Sequence, residues 1–193
     1  MLLGMLIANG DTGLIITEVE AYGGSDDAAS HAYKGVSQRN RSMFGDAGTL
    51  YVYLSYGIHR CINIVAGEVG DGQAVLIRSG VVVSRPFAEG RAQGLTGKVV
   101  LGPGRVGRAL GAELSDDGTD LLSSGEWQIL DTKEILNAGS VSVLRSGRIG
   151  ISKAREVDWR FEINPREFLE GLVDSQELTG FILRSEGFGP PNF

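Results

Sequence analysis

Residues 17–22 read TEVEAY, and their alternation puts Glu18, Glu20 and Tyr22 on one face of a strand that starts in the apolar run Leu14-Ile15-Ile16. A carboxylate on such a wall can act as a general base and activate a water. A phenol beside it adds a flat ring with a polar tip. The first histidine, His31, follows Tyr22 across a short polar turn. Three later stretches hold residues of the same kind. QRNRSMF (38–44) sets Arg39 and Arg41 around an asparagine. GTLYVYLSYGIHRCINI (48–64) places Tyr51 and Tyr53 on one strand face, with Tyr56 and Gly57 near the tip of an expected hairpin. GQAVLIRSG (72–80) is an apolar strand that ends in Arg78.

Each of these has a plain structural reading. The two glutamates suit the solvent face of an edge strand, and the tyrosines suit cross-strand packing pairs. Arg78 could end its strand in a surface ion pair of little energetic weight, and the Arg39/Arg41 pair could belong to a solvated turn. Taken together they fit one task. An enzyme that acts on a nucleobase must hold it outside the stack, and aromatic platforms such as Tyr22 and Tyr53 do so because every base has a π-face. A neighbouring carboxylate can activate water for attack on a sugar carbon. An adjacent arginine fixes that water and keeps the acid ionised. An aromatic hairpin tip can wedge into the minor groove and fill the gap in the stack.

The elements that must position these residues are mostly strands. β-branched and aromatic content with alternation predicts strands near 2–7, 13–22, 49–56, 60–66, 73–78, 126–131, 147–151 and 158–163. A hairpin at Gly10-Asp11-Thr12-Gly13 joins the first two. Shorter helical signals fall at 26–33, 39–43, 84–92, 103–110 and 165–173, the last with Asn164 to cap it and Pro165 at its first position. Strands gathered early with scattered short helices predict an α+β fold, with one domain over 1–181 and a flexible tail at 182–193.

Composition narrows the function classes. A chain of 193 residues with 42% hydrophobic content can build one core. No apolar run is long enough to span a bilayer, and the N-terminus shows no signal-peptide pattern, so a cytoplasmic location is expected. The lone Cys61 excludes an internal disulfide and a multi-cysteine zinc site. The net charge of −6 argues against nucleic acid on its face, but it hides an asymmetry. Residues 31–110 hold ten Lys/Arg against four Asp/Glu, so an acidic chain contains a cationic segment able to attract an anion. Such a chain should bind DNA weakly and with strong salt dependence.

One motif points elsewhere. VVLGPGRVGRALG contains G-x-G-x-x-G at Gly102, Gly104 and Gly107, the local pattern of a dinucleotide-binding turn. The helix after it would end at Gly111, too short for a crossover, and no second βαβ half follows. A nucleotide cofactor is therefore not expected, and binding of nicotinamide cofactors would test this.

The sequence resembles the 3-methyladenine (alkyladenine) DNA glycosylase family of base-excision-repair enzymes. The resemblance rests on TEVEAY (17–22), DDAASHA (26–32), RNRSMF (39–44), GTLYVYLSYGIHRCINIV (48–65), AVLIR (74–78), LGPGRVGRALG (101–111), GRIGI (147–151) and WRF (159–161). These are colinear over about 2–161, and 164–181 departs from the family pattern. The resemblance implies a curved antiparallel sheet with short helices and a protruding β-hairpin. It implies that Glu20 activates the attacking water, cradled also by Arg78 and a backbone carbonyl near Ile149. Tyr22, His31 and Tyr53 would wall the flipped-base pocket, with His31 bonding the base. Asn63 would reject guanine by crowding its exocyclic amine, and Tyr56 would be the intercalating wedge. The implied protein is a monomeric, monofunctional glycosylase that needs no metal or organic cofactor and acts on damaged purines in double-stranded DNA. With no lysine matched to a nucleophile role, lyase chemistry is not expected. The rival from another class is a catalytically idle damage-binding protein of the same fold.

Overall fold

A computed structural model of the chain describes residues 2–84, 95–131 and 142–165. The turn at Gly10-Asp11 joins β1 (Leu6–Asn9) to β2 (Thr12–Gly23). There follow β3 (Leu50–Ser55), β4 (His59–Ala66), β5 (Gln73–Ser84), β6 (Leu95–Leu101), the helix α1 (Pro103–Ala109), β7 (Trp127–Leu130), β8 (Val143–Ser146) and β9 (Arg160–Ile163). The strands form one nine-stranded sheet with the path β3-β4-β5-β2-β1-β7, to which β6 adds on β5, β9 on β2 and β8 on β9. Every pairing is antiparallel. With one named α-helix and a few 3₁₀ turns among the described residues, the fold is α+β as expected.

The twelve-residue strands β2 and β5 form the spine and pair along almost their whole length. Their outer edges change partners halfway. β5 pairs with β4 through Gln73–Leu76 and with β6 from Ser79 onward, while β2 pairs with β1 through Thr12–Ile15 and with β9 through Glu18–Glu20. Sheets that branch in this way curl. At the changeover the register slips twice, leaving Thr17 as an extra residue on β2 and Arg78 as an extra residue on β5, either side of the Glu18–Ser79 pair. Bulges increase local twist and re-aim side chains, and here they flank the carboxylates.

Leu14, Ile16, Ile62, Ile77 and Val81 are buried, and Val106 and Leu110 from the α1 region close over the same core. Each such side chain contributes roughly 1.5–3 kcal/mol of burial. The three fingerprint glycines serve this packing. Gly102 takes φ +96° at the helix N-cap. A Cβ on Gly104 would lie 2.8 Å from the His59 ring, and one on Gly107 only 2.0 Å from the Arg60 carbonyl oxygen. Gly104 and Gly107 thus let α1 sit directly on β4, a packing reason for glycine at both positions.

Several expectations are corrected. The strand predicted at 2–7 begins only at Leu6, because Gly4 at φ +83° turns the chain first. The helix predicted over 26–33 is a 3₁₀ turn, Gly24–Asp26, followed by further turns. There Asp27 accepts from the Gly23 and Ala29 amides, and Ser30 accepts from Ala32, local bonds that compete with a helix. The strand predicted at 147–151 is a loop, and β8 lies just before it. β5 runs six residues past Arg78, and β6 was not foreseen as a strand. The signal at 39–43 is a 3₁₀ helix, Gln38–Phe44. The helix predicted at 84–92 falls, after Ser84, outside the described residues, as do the segment after Pro165 and the expected tail.

Candidate active site

Antiparallel partners point to the same face of a sheet, and the register therefore aligns a row of side chains across four strands. Glu20 on β2 faces Leu76 on β5, Leu76 faces Asn63 on β4, and Asn63 faces Tyr51 on β3. Tyr22 and Ala74 form the row on one side of it, and Tyr53 and Cys61 lie on the other side, on the hairpin. Over this face lies a cleft of ≈ 1220 Å³. Tyr22, His31, Tyr53, Asn63, Arg78 and Ile149 all line it, as do Arg39 and Tyr56 nearer the hairpin and 3₁₀ helix. Arg41 is exposed and does not line the cleft.

Glu20 lies behind Tyr22, Leu76, Arg78 and Ile149 of this lining and is fully buried. Its Oε1 accepts from the Ile149 backbone N–H at 2.7 Å and faces Arg78 Nη1 at 3.2 Å. Its Oε2 accepts from the Tyr22 hydroxyl at 3.0 Å. Burial, then the charge of Glu20, raises the Tyr22 pKa well above the ordinary phenol value, so Tyr22 stays protonated and remains the donor. Ile149 meets Glu20 through its amide. The wet-face reading of these carboxylates fails, since Glu18 is also buried.

Glu18 holds the arginines. Its Oε1 accepts from Arg78 Nε at 2.9 Å and from Arg160 Nε at 2.6 Å, and its Oε2 accepts a short bond from the Ser79 hydroxyl. Burial disfavours this carboxylate, yet the bonds from Ser79, Arg160 and Arg78 outweigh that and lower its pKa. Arg78 is accordingly no surface ion pair. It spans Glu18 and Glu20, aimed inward by the bulge at its own position.

The opposite wall is aromatic. Tyr51 and Tyr53 stack at 5.6 Å and 27°, and the His31 ring meets Tyr53 edge-on at 4.5 Å and 80°. His31 Nδ1 lies 2.8 Å from the Tyr51 hydroxyl. These walls desolvate the imidazole and Arg39 repels its proton, so its pKa falls below the ordinary value and it is neutral near pH 7. Burial raises the Tyr51 pKa in turn, so Tyr51 keeps its proton and can donate it to Nδ1; in that tautomer the ring N–H is on Nε2. Buried Asn40 anchors the His31 segment: its Nδ2 donates to the His31 and Gly35 carbonyls, and its Oδ1 accepts from Ser37. Asn63 is buried and donates to the Tyr51 carbonyl.

At the hairpin tip Tyr56 is 88% exposed and lies at φ +50°, followed by Gly57 at φ +72°. Asparagine or glycine is usual in such a turn, and a tyrosine there is strained without any packing in return. Among the described residues no group of three or more His, Cys, Asp or Glu side chains is arranged to hold a metal. Nor is any described helix long and apolar enough to cross a membrane.

Sequence reasoning passed over Tyr51, Glu18 and Arg160 as site residues, although the first two share faces with residues it selected. It also passed over Asp27 and Arg148, which form a buried ion pair behind Tyr22. Nothing in their spacing announces that contact, which joins positions 121 residues apart.

Comparison with known proteins gives the family. Residues 1–167 match the family model described as methylpurine-DNA glycosylase (MPG). A protein of Corynebacterium glutamicum named "Putative 3-methyladenine DNA glycosylase" is 45% identical over 165 residues, covering 84% of each chain. One of the same name from Cutibacterium acnes is 40% identical over 168 residues, covering 84% of this chain and 87% of the relative. Another, from Mycolicibacterium fortuitum, is 39% identical over 185 residues and covers 91% of this chain and 87% of the relative. A match over most of the chain, together with relatives at this identity, settles the membership: the chain belongs to the methylpurine-DNA glycosylase family.

Proposed function

We propose that the protein is a monofunctional DNA glycosylase that hydrolyses the N-glycosidic bond of damaged purines in duplex DNA. The single observation that supports this best is the enclosed Glu20 carboxylate, held by Arg78, Tyr22 and the Ile149 amide beneath an aromatic-walled cleft. The flipped purine lies between Tyr22 and the Tyr53/His31 wall, and the neutral His31 donates to it through Nε2. Glu20 accepts a proton from water as the water oxygen bonds to C1′. The C1′–N bond breaks with its electron pair going to the base, leaving an abasic site and a free purine. Arg78, with Nη1 3.2 Å from the carboxylate, holds Glu20 in place. Asn63 sits where it can crowd the exocyclic amine of guanine. Tyr56 at the protruding hairpin tip fills the gap in the stack, and Arg39 and Arg41 meet phosphates. The protein works as a cytoplasmic monomer without a cofactor.

The full enclosure of Glu20 favours a second reading, a lesion-binding protein of the same fold that performs no chemistry. Free-base release decides between them. Duplexes each bearing one defined alkylated or deaminated purine are incubated with excess protein, and the released base is measured. Release from at least one duplex, lost in Glu20→Gln, supports the enzyme. Tight lesion binding with no release from any duplex supports the second reading.

A further inference from the structure

The loop between β8 and β9 delivers the Ile149 amide to Glu20, and the residue before Ile149 is a buried arginine with several partners. Arg148 and Asp27 have side chains that are 0% and 1% exposed. The guanidinium meets the Asp27 carboxylate through both Nη atoms, one of these bonds short and the other 2.9 Å. Arg148 Nη1 also donates to the Ala21 carbonyl at 3.0 Å, on the residue between Glu20 and Tyr22. Its guanidinium carbon lies 4.8 Å from the centre of the Tyr22 ring and 5.3 Å from that of Trp159. Asp27 is held in turn, accepting from the Gly23 amide at 3.1 Å and the Ala29 amide at 3.0 Å. Gly23 leaves room for this arrangement, since a Cβ there would be 2.9 Å from the Trp159 ring.

Stability alone gives a poor account of this pair. A buried ion pair is often matched or bettered by apolar side chains of the same volume, because both charges must leave water. Geometry gives a better account. The pair ties the end of β2 to a loop far along the chain: Ala21, Tyr22 and Gly23 are among its contacts on one side, and Arg148 Nη2 donates to the Ala154 carbonyl of the loop at 3.4 Å on the other. Arg148 lies outside the cleft lining while Tyr22 lines it, so the guanidinium covers the back of that ring and leaves its front to the cleft. Resting on the glycosylase reading, we infer that Asp27 and Arg148 are positioning residues: a buried clamp that sets the Ile149 amide on Glu20 and braces the Tyr22 ring. Neither touches the base or the water. They act by fixing the groups that do, and a displacement of about 1 Å at such a group can cost on the order of 10²-fold in rate.

The test uses the full chain with Arg148→Met, which removes the charge at similar length, and Arg148→Lys, which keeps the charge but loses the two-pronged geometry. Hydrogen exchange of the Ile149 amide is followed by NMR, with β2–β5 ladder amides as an internal control. Single-turnover base release and affinity for a duplex with an abasic-site analogue are measured alongside. In a folded variant the Ile149 amide should exchange at least about tenfold faster, with the ladder unchanged. Base release should fall on the order of 10–10²-fold while affinity moves by less than about threefold. Arg148→Lys should lie between Arg148→Met and the parent. Exchange and release both within about twofold of the parent in a folded variant would overturn the clamp. So would unfolding of Arg148→Lys as well as Arg148→Met, since the pair would then be a folding element. A parent that releases no base, with Ile149 exchange still dependent on Arg148, would overturn the glycosylase reading and leave the clamp standing.

Discussion

Replacing Glu20 by glutamine removes the proton acceptor while keeping the shape and most of the hydrogen bonds around it. Oε1 receives the Ile149 N–H at 2.7 Å and Arg78 at 3.2 Å, and a glutamine oxygen can accept both. On the other side the Tyr22 hydroxyl, now 3.0 Å from Oε2, can turn and accept from the new amide. Arg78 retains Glu18 at 2.9 Å, so its charge is not left bare. The second amide hydrogen and the turned Tyr22 hydroxyl then lack the acceptor they had, so the cost in folding stability should be at least that of one charged hydrogen bond, about 1.5–3 kcal/mol. Chemistry should suffer more. General-base assistance contributes typically 10²–10⁴-fold, or about 2.7–5.5 kcal/mol at 1.36 kcal/mol per decade. The assay is single-turnover release of base from a lesion duplex under excess protein, so that product release is not read. Affinity for the same duplex, measured in parallel, should hold within about threefold. A Glu20→Gln variant that binds normally and releases base at the parent rate would refute the assignment of the base.

Tyr56→Ala should scarcely alter the thermal midpoint, because the ring is 88% exposed. Tyr56→Gly should raise stability by roughly 1 kcal/mol through relief of the positive φ. Both should weaken duplex binding and base release, and less so on single-stranded substrate; unfolding with activity intact in the surviving fraction would place Tyr56 in the core instead. Arg39→Ala and Arg41→Ala should each lower the slope of log K against log salt by about one, and slopes unchanged in both would return these side chains to a solvated turn. Glu18 and Asp27 have folded pKa values below their ordinary 4.5 and 3.8, burial being outweighed by their hydrogen-bond donors. The unfolded chain therefore takes up protons first, and stability present above about pH 4.5 is lost as pH falls through the lowered values. Thermal midpoints across pH 3–6 should show this fall, with a shallower slope in Asp27→Asn; an equal slope would remove Asp27 from the linkage.

Part of the site was legible in the sequence because it depends on short-range alternation. TEVEAY fixes Glu18, Glu20 and Tyr22 on one face whatever packs on it, and YVY does the same for Tyr51 and Tyr53. The burial of that face was not legible. All of 13–20 is buried, because β9 and the 147–151 loop land beside it from some 130 residues away, and no local pattern reports a landing. The bulges at Thr17 and Arg78 were equally hidden, yet they aim the arginine. Local side-chain bonds defeated the helix predicted at 26–33, and a two-residue shift in β9 together with Gly150 at φ +77° left 147–151 as a loop.

The two glutamates show why residue types alone under-determine the chemistry. Glu18 and Glu20 are two residues apart on one face of one strand, and in sequence either could be the base. β9 brings Arg160 to Glu18 at 2.6 Å, and the bulged β5 brings Ser79 and Arg78 to it as well. A carboxylate so enclosed by two cations and a hydroxyl, with its pKa lowered, is a poor proton acceptor. Glu20 has one guanidinium nitrogen, a neutral phenol and a backbone amide as partners, beneath Tyr22 and beside the cleft. On the glycosylase reading, the first carboxylate orients Arg78 and the second takes the proton. If so, Glu18→Gln should impair base release through a displaced Arg78, and restoring the charge elsewhere on the surface should not rescue it. A Glu18→Gln variant with full release while Glu20→Gln still releases normally would exchange neither role but remove both, leaving this cleft without a base.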